Sequence, residues 1–465
     1  MQFKHAPAAV SVSFDDPNLV SAAGLVPVMR LAERAGLREL ANTWLTVPTD
    51  KGANAGLKVA SLVGGMVAGA DSIDDMALLR HGGMRKLFAK LYAPSTLGSF
   101  LRAFTFGHVR QLDAVASRFL ANLSEAAPVL GGGAGDGWVF VDVDDTIIEV
   151  HGHQKQGAGF GYSGVRGLNA LIATAETTVS APVILAQRLR RGGAGSPRGA
   201  AQLVRDSLAT LRRLPGTRAA RVLLRADSAF YGHATISAAL RAGVAVSVTA
   251  RMDPAIKRAI ATIADDAWEA IQYTDAIYDE DTRRWISSAQ VAEVPFTAFT
   301  SRKKAEQIAG RLVVRRIPEL NKKDLDHPTL FDMHRFHAFF TTSTLDTVTA
   351  DKTHRGHAII EQVNADLKHS ALAHLPSGVF NANAAWLVLA VIAFNLTRAA
   401  ATIAGTGLAK ATTATIRRKL ISVPARIASS ARRITLHLPD RWPWETAWTA
   451  LFDHVGGSPP PAPTI

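Results

Sequence analysis

The sequence predicts a mixed α/β protein: a helical N-terminal unit, then a core built on a sheet. Three observations predict it. Residues 1–130 carry apolar residues at helical spacing and end at the glycine-rich run Gly131–Gly137. Trp138-Val-Phe-Val-Asp-Val-Asp-Asp-Thr-Ile-Ile, residues 138 to 148, alternates as a buried strand but carries acids. Two further strand-like runs follow it before any helix, and only then do helix and strand alternate.

Within the N-terminal unit the spacing predicts helices over Leu25 to Leu40, Leu57 to Ala68, Asp74 to Leu91, Ser95 to Phe106 and Val109 to Leu123. Ser95, after Pro94, is the expected N-cap of the fourth. Arg80, His81, Arg85, Lys86, Lys90, Arg102, His108 and Arg110 fall close together here. Such cations either contact phosphate backbones or form a solvated helix face.

In the strand from Trp138, Val139, Val141 and Val143 point one way, and Phe140, Asp142 and Asp144 the other. Carboxylates in a β-branched apolar run are costly to desolvate, so something must compensate their charge. A divalent metal is one such compensator; ending the strand in an Asx turn at Asp144 and Asp145 is the alternative. Gly167 to Thr174 and Ala181 to Leu189 are the next two strands. A helix over roughly 198–213, capped by Ser196, precedes the strand Arg221-Val-Leu-Leu-Arg-Ala-Asp227, whose end delivers a second acid. The helix His233 to Ala242 and the strand Val244 to Thr249 complete the series. Three consecutive strands followed by alternation is the order of the ribonuclease-H-like fold; a doubly wound sheet alternates from the start.

Residues 251–333 break the alternation with short strand-like runs (Trp268 to Tyr273, Trp285 to Phe299, Leu312 to Ile317) and many charges. This is expected to be a β-containing insertion held out from the core. Arg302-Lys303-Lys304, Arg315-Arg316 and Lys322-Lys323 suit an arm that grips a nucleic-acid backbone, or a solvated surface. Trp268 and Trp285 either stack on a displaced base or fill the insertion's core. Phe336 to Thr342 reads as a strand returning to the core, and His354 to Leu372 as one helix. Wound at 100° per residue, that helix places His354, His357, Ala365 and Lys368 within about 40° of Glu361, with Asn364 about 60° away. Ile360, Val363 and Leu367 form the apolar flank.

The expected organisation is therefore a helical DNA-binding domain (1–130), a ribonuclease-H-like core in two parts (137–250 and 334–405), the insertion (251–333) and a basic, helical C-terminal region (406–465) with a disordered end. Lys and Arg outnumber Asp and Glu by 52 to 39, giving a net charge of +13, which suggests a polyanionic partner, nucleic acid first. The absence of cysteine excludes disulfides, thiolate catalysis and zinc knuckles. The longest apolar run, Ala384 to Phe394, is too short for a bilayer and reads as a buried helix. With no signal pattern at the N-terminus, a soluble cytoplasmic protein is expected.

The order Asp144, Asp227, Glu361 resembles the DDE triad of transposases, and the detail resembles the IS1380 family of the IS4-like superfamily. The resemblance rests on Phe14-Asp-Asp-Pro-Asn-Leu-Val-Ser-Ala-Ala-Gly-Leu, on Gly69-Ala-Asp-Ser-Ile-Asp-Asp with Arg80-His-Gly-Gly and Ala93-Pro-Ser-Thr-Leu-Gly, on Val141-Asp-Val-Asp-Asp-Thr, and on Leu224-Arg-Ala-Asp-Ser-Ala-Phe. Leu438-Pro-Asp-Arg-Trp-Pro-Trp is similar to the family's tail. The resemblance makes Asp144 the first acid, with Asp142 as the alternative, Asp227 the second and Glu361 the third. Its Tyr-x2-Arg-x3-Glu-x6-Lys signature falls on His354, His357, Glu361 and Lys368, with histidines where tyrosine and arginine stand in the family.

The resemblance implies metal-dependent cut-and-paste DNA transposition with two Mg²⁺ ions (Mn²⁺ as substitute) held by Asp144, Asp227, Glu361 and, as alternative, Asp142. Three carboxylates suit Mg²⁺, which prefers oxygen ligands. Lys368 would neutralise a substrate phosphate, and Arg80, Arg102, Arg110, Arg302, Lys303, Lys304, His354, Arg355 and His357 would contact DNA. Terminal inverted repeats and target DNA are the implied partners, no membrane is, and the implied state is a nucleoid-associated homodimer. A rival reading takes Asp142-Val-Asp144-Asp-Thr146 as the first motif of a haloacid-dehalogenase phosphatase, with Asp142 as nucleophile. Against it stand the two strands that come next, Tyr231 four residues after Asp227 where a carboxylate is wanted, and the +13 charge. A non-catalytic DNA-binding derivative is the third reading.

Overall fold

The computed structural model describes residues 1, 4, 9–131, 137–152, 154–279, 284–318, 334–430 and 433–456. The centre of the glycine run (132–136), His153, Lys322, Lys323 and the proline-rich end lie outside them.

The N-terminal unit opens with a short strand β1 (Leu19–Val20) and the helices α1 (Leu25–Arg34), α2 (Leu37–Trp44), α3 (Ala55–Ala68), α4 (Pro94–Arg102) and α5 (Phe106–Ala126). The expected helix from Leu25 to Leu40 breaks at Gly36, whose φ of 76° is the left-handed conformation that a side chain resists. Asp74 to Leu91 is likewise not one helix but a 3₁₀ stretch and a single turn. Pro94 occupies the first turn of α4, so Ala93 stands at the cap in place of Ser95.

The core strands are β2 (Trp138–Glu149), β3 (Gly159–Phe160), β4 (Arg166–Glu176), β5 (Val183–Arg191), β6 (Arg221–Ala226) and β7 (Ala245–Thr249), with α6 (Ala200–Leu211) before β6 and α7 (His233–Arg241) before β7. Gly199, not Ser196, caps α6, in a left-handed conformation. β4 pairs antiparallel with both β2 and β5, while β2, β6 and β7 run parallel. The order β5-β4-β2-β6-β7, with only the first three consecutive strands antiparallel, is the ribonuclease-H-like sheet. Val139, Val141 and Val143 enter the main apolar core, whereas Phe140 packs on the opposite face with Trp138 and Leu223, so the predicted alternation of β2 holds.

The inserted residues differ from expectation. After α8 (Pro254–Ala261), the strands β8 (Glu269–Asp279), β9 (Arg284–Ala298) and β10 (Ile308–Pro318) are not held out from the core but continue the sheet beyond β11 (His334–Thr341), the returning strand. β11 pairs antiparallel with β7, and β10, β9 and β8 follow, extending one sheet to ten strands. The free backbone edge of β7 is thereby satisfied by the returning strand β11.

The expected helix from His354 to Leu372 begins earlier and is interrupted. α9 (Thr347–Arg355) gives way to a 3₁₀ turn at Gly356–Ala358 before α10 (Ile359–Lys368). Next comes α11 (Phe380–Ala404), whose 25 residues and mean hydropathy of 1.8 would suffice to cross a membrane, longer than the apolar run Ala384 to Phe394 suggests. Most of it is buried inside the protein, against α3, α5 and β5. Asn395 on this helix gives and takes a hydrogen bond with the backbone of Ile184 (2.9 and 2.8 Å), so the outer strand β5 is tied to the core helix. The C-terminal region adds a hairpin, β12 (Ala425–Ser430) and β13 (Arg433–His437), which pairs with β1, and then α12 (Glu445–His454). One apolar cluster runs without a break from Leu25 through the sheet and α11 to Leu451.

Candidate active site

The parallel register of β2 and β6 sets Asp142 opposite Arg225 and Val143 opposite Ala226. Asp144 and Asp227 are the next residue on each chain, so two acids emerge side by side where the pairing ends. Asp227 also caps the 3₁₀ turn Ser228–Phe230 through the Ala229 N–H, which donates to it at 3.0 Å. It is exposed, and Asp144 is half-buried beside it.

Both carboxyls are held above the usual range. Burial, with the charges of Asp227 and Asp145 added, pushes Asp144 up to about 6. Burial and the charge of Asp145 also raise Asp227. Asn364 on α10 donates to Asp144 Oδ2 at 2.8 Å, while its own Oδ1 is buried with no hydrogen-bond partner.

Asp142 is differently placed. It is completely buried, and Arg225 meets it side-on, Nε to Oδ1 at 2.8 Å and Nη2 to Oδ2 at 2.7 Å. His357 Nδ1 stands 2.9 Å from the same Oδ1. Burial alone would raise the Asp142 pKa, but the Arg225 charge and the hydrogen bonds from His357 and Arg225 lower it. Both oxygens are therefore occupied by protein donors. This corrects the alternative metal-ligand role for Asp142, and it also removes the accessible nucleophile that a phosphatase mechanism needs. Asp145, on the other face of β2, is taken up by Arg190 (2.7 Å) and Asn169.

Glu361 is exposed in the first turn of α10, one turn after His357 and one before Asn364. Lys368, at the last turn, is exposed too. Among the described residues no three His, Asp or Glu side chains converge as a ready-made metal cage. The pieces that do fit an oxygen-seeking cation are the adjacent, mutually repelling Asp144 and Asp227 and the orphaned Asn364 carbonyl oxygen. Tyr162, in the exposed loop between β3 and β4, lies within the field of Asp145, Asp144 and Asp227.

The predicted DNA contacts divide. His354 lies under Phe339, with ring centroids 4.1 Å apart, and its nitrogens meet Ser247 Oγ (2.9 Å) and Thr249 Oγ1 (3.0 Å). Burial drives its pKa down to about 3, so it is a neutral structural residue and not a phosphate contact. His357 is likewise turned inward onto Asp142, so neither histidine stands in for a phosphate-binding tyrosine or arginine. Arg110 is bound by Asp113 (2.7 Å) and Asp206 (3.1 Å), which withdraws it from an incoming phosphate. Arg355 reaches Asp351 at 2.9 Å. Arg102, Lys303 and Lys304 are exposed, Arg302 is exposed with a weak 3.6 Å approach to Glu306, and Arg80 is half-buried. Trp268 is core: it packs with Phe336, and the Arg316 guanidinium covers its ring. The side chain of Trp285 lies outside the described residues, and His151 sits exposed in its loop.

Sequence reasoning missed Arg225, although it stands in the apolar run of β6 and falls under the rule that singled out Asp142: a buried charge requires a partner. Asn364 showed as a polar residue near the Glu361 stripe, without a role.

The ribonuclease-H-like sheet thus brings Asp144 and Asp227 together where the parallel pairing of β2 and β6 stops, with α10 bonded to Asp144 through Asn364. The family described as transposase DDE domain, group 1, matches residues 4–458, and the chain belongs to that family. No curated protein matches the chain. Membership makes this a DNA-binding transposase, and DDE transposases use divalent metals.

Proposed function

We propose that the protein is an IS1380-type, IS4-like transposase that performs metal-dependent cut-and-paste transposition, cleaving the ends of an insertion sequence and joining them to target DNA. The observation that carries this reading is the emergence of Asp144 and Asp227 side by side where the parallel pairing of β2 and β6 stops, with the helix that bears Glu361 bonded to Asp144 through Asn364. These three carboxylates, with the Asn364 carbonyl oxygen beside them, would hold the divalent ions. When bound, two such ions activate the attacking water or 3′-hydroxyl and stabilise the leaving oxygen.

The chain's own residues supply position and charge. Asp144 and Asp227 are kept close at some cost, so each is ready to give up its proton for a cation. Asn364 orients the Asp144 carboxylate by donating to its Oδ2. Lys368, two turns beyond Glu361, offsets negative charge on the substrate backbone. Arg102 on the N-terminal unit and Arg302, Lys303 and Lys304 on the insertion grip the flanking duplex, and two copies of the chain hold the paired ends.

The test is cleavage of DNA carrying the native terminal repeats in Mg²⁺, with wild type set against Asp144→Ala, Asp227→Ala and Glu361→Ala. Each variant is expected to lose cleavage while still retaining the DNA in a gel shift. Normal cutting by any of the three sinks the triad, and a wild type that binds without cutting marks a non-catalytic derivative. One chain per DNA complex in sedimentation would count against the homodimer.

A further inference from the structure

Each proposed triad acid is preceded, within four residues, by a residue that points into the same buried cluster. Asp142 stands two residues before Asp144 on the same face of β2. Arg225 stands two before Asp227 on β6, and His357 stands one helical turn before Glu361. Asp142 binds the other two. Arg225 holds Asp142 through Nε (2.8 Å) and Nη2 (2.7 Å), and His357 Nδ1 meets Asp142 Oδ1 at 2.9 Å.

Arg225 binds the helical segment as well. Its Nη1 donates to the Thr353 carbonyl at 2.9 Å, at the point where α9 tightens into the 3₁₀ turn that leads to α10. Gly356 permits the approach, since a Cβ there would lie 2.5 Å from Nη1. Nη2 also reaches Glu176 on β4 at 2.8 Å. The cluster therefore joins β2, β4, β6 and the α9–α10 segment at one buried point, within four residues of each of the three acids.

We propose that Asp142, Arg225 and His357 form an inner positioning triad that sets the spacing of Asp144, Asp227 and Glu361 for divalent cations. The inference rests on the assignment of those three acids. None of the inner residues need touch metal or DNA. They act because a metal site loses affinity when the groups behind its ligands are free to shift, by about 10–100-fold in other metalloproteins.

The test is Mn²⁺ binding to the full-length, DNA-free protein by titration calorimetry, beside thermal melts of each variant. His357→Ala is expected to weaken Mn²⁺ binding by about tenfold or more. His357→Asn, whose side-chain N–H can occupy the place of Nδ1, is expected to recover most of the loss. Wild-type Mn²⁺ affinity in His357→Ala, with Asp144→Ala binding none, would overturn the inner triad and leave the outer one intact. Loss in His357→Ala with no recovery in His357→Asn would also overturn it, by showing that the imidazole acts in another way. Should His357→Ala melt below the assay temperature, Asp142→Asn carries the same expectation, and unchanged affinity there overturns the proposal. Mn²⁺ binding unaffected by Asp144→Ala and Asp227→Ala would instead overturn the assignment of the outer acids.

Discussion

Arg225 approaches Asp142 side-on across β2 and β6, with bonds of 2.8 and 2.7 Å, and the two side chains are 2% and 0% exposed. An acid sealed in this way has both oxygens taken by protein donors, whereas its neighbour Asp144 is half-buried and accepts from the Asn364 side chain and the Asp145 backbone. Two acids only two residues apart on one strand thus differ in their partners, and of the two it is Asp144 that is proposed to hold a metal.

Asp142→Ala leaves the Arg225 charge buried without its main partner. Breaking a buried pair by removing one side costs about 3–5 kcal/mol, so urea denaturation should show a loss of that size. Asp144→Asn should unfold within about 1 kcal/mol of wild type, because it removes a carboxylate that burial and like charges already disfavour. Equal destabilisation of the two variants would contradict the structure.

Divalent cations should stabilise the folded protein by mass action, by about 2.7 kcal/mol at a concentration one hundred times the dissociation constant. The melt of wild type should rise with Mg²⁺ and return on chelation, and Asp144→Asn should not respond. The Asp144 carboxyl must ionise to take part, and burial followed by like charges places its pKa at about 6. Cation binding should accordingly weaken as pH falls through about 6. Binding that stays constant from pH 7 to pH 5 would refute this.

His354 titrates in the opposite sense from a histidine that gains an acid. Burial holds its folded pKa down at about 3, against about 6.5 for the unfolded chain. Its contribution to stability is complete above about 6.5 and declines as pH falls towards 3, because only the unfolded chain takes up the proton. The slope is at most about 1.4 kcal/mol per pH unit. Chemical denaturation at stepped pH should show this slope in wild type and a shallower one in His354→Gln.

Arg110 and the insertion cations should separate in DNA binding. Each phosphate contact removed reduces the slope of log affinity against log salt by about 0.9. Replacing Arg302, Lys303 and Lys304 together with Ala should lower the slope by about 2–3. Arg110→Ala should leave it unchanged, since Asp113 and Asp206 already occupy that guanidinium. Filter binding across a salt series distinguishes the two outcomes.

By itself the sequence determined the strand order, because three apolar runs before the first helix and alternation afterwards are local features of composition and period. It also singled out Asp144 within β2 and Asp227 just after β6, since a carboxylate in a β-branched run is conspicuous wherever it occurs. Local pattern extended no further. A helical wheel placed His354 and His357 on one polar stripe with Glu361, but the 3₁₀ turn at Gly356–Ala358 intervenes and both rings turn inward. The charged strands of the insertion gave no sign of where they pair, and the outer edge of β11, itself seated on β7, decided it. The choice between Asp142 and Asp144 likewise depended on Arg225, 83 residues away in the chain and opposite in the sheet. Periodicity reports which face a side chain takes; only tertiary contact reports what waits on that face, and for a charge the partner decides whether it is structure or chemistry.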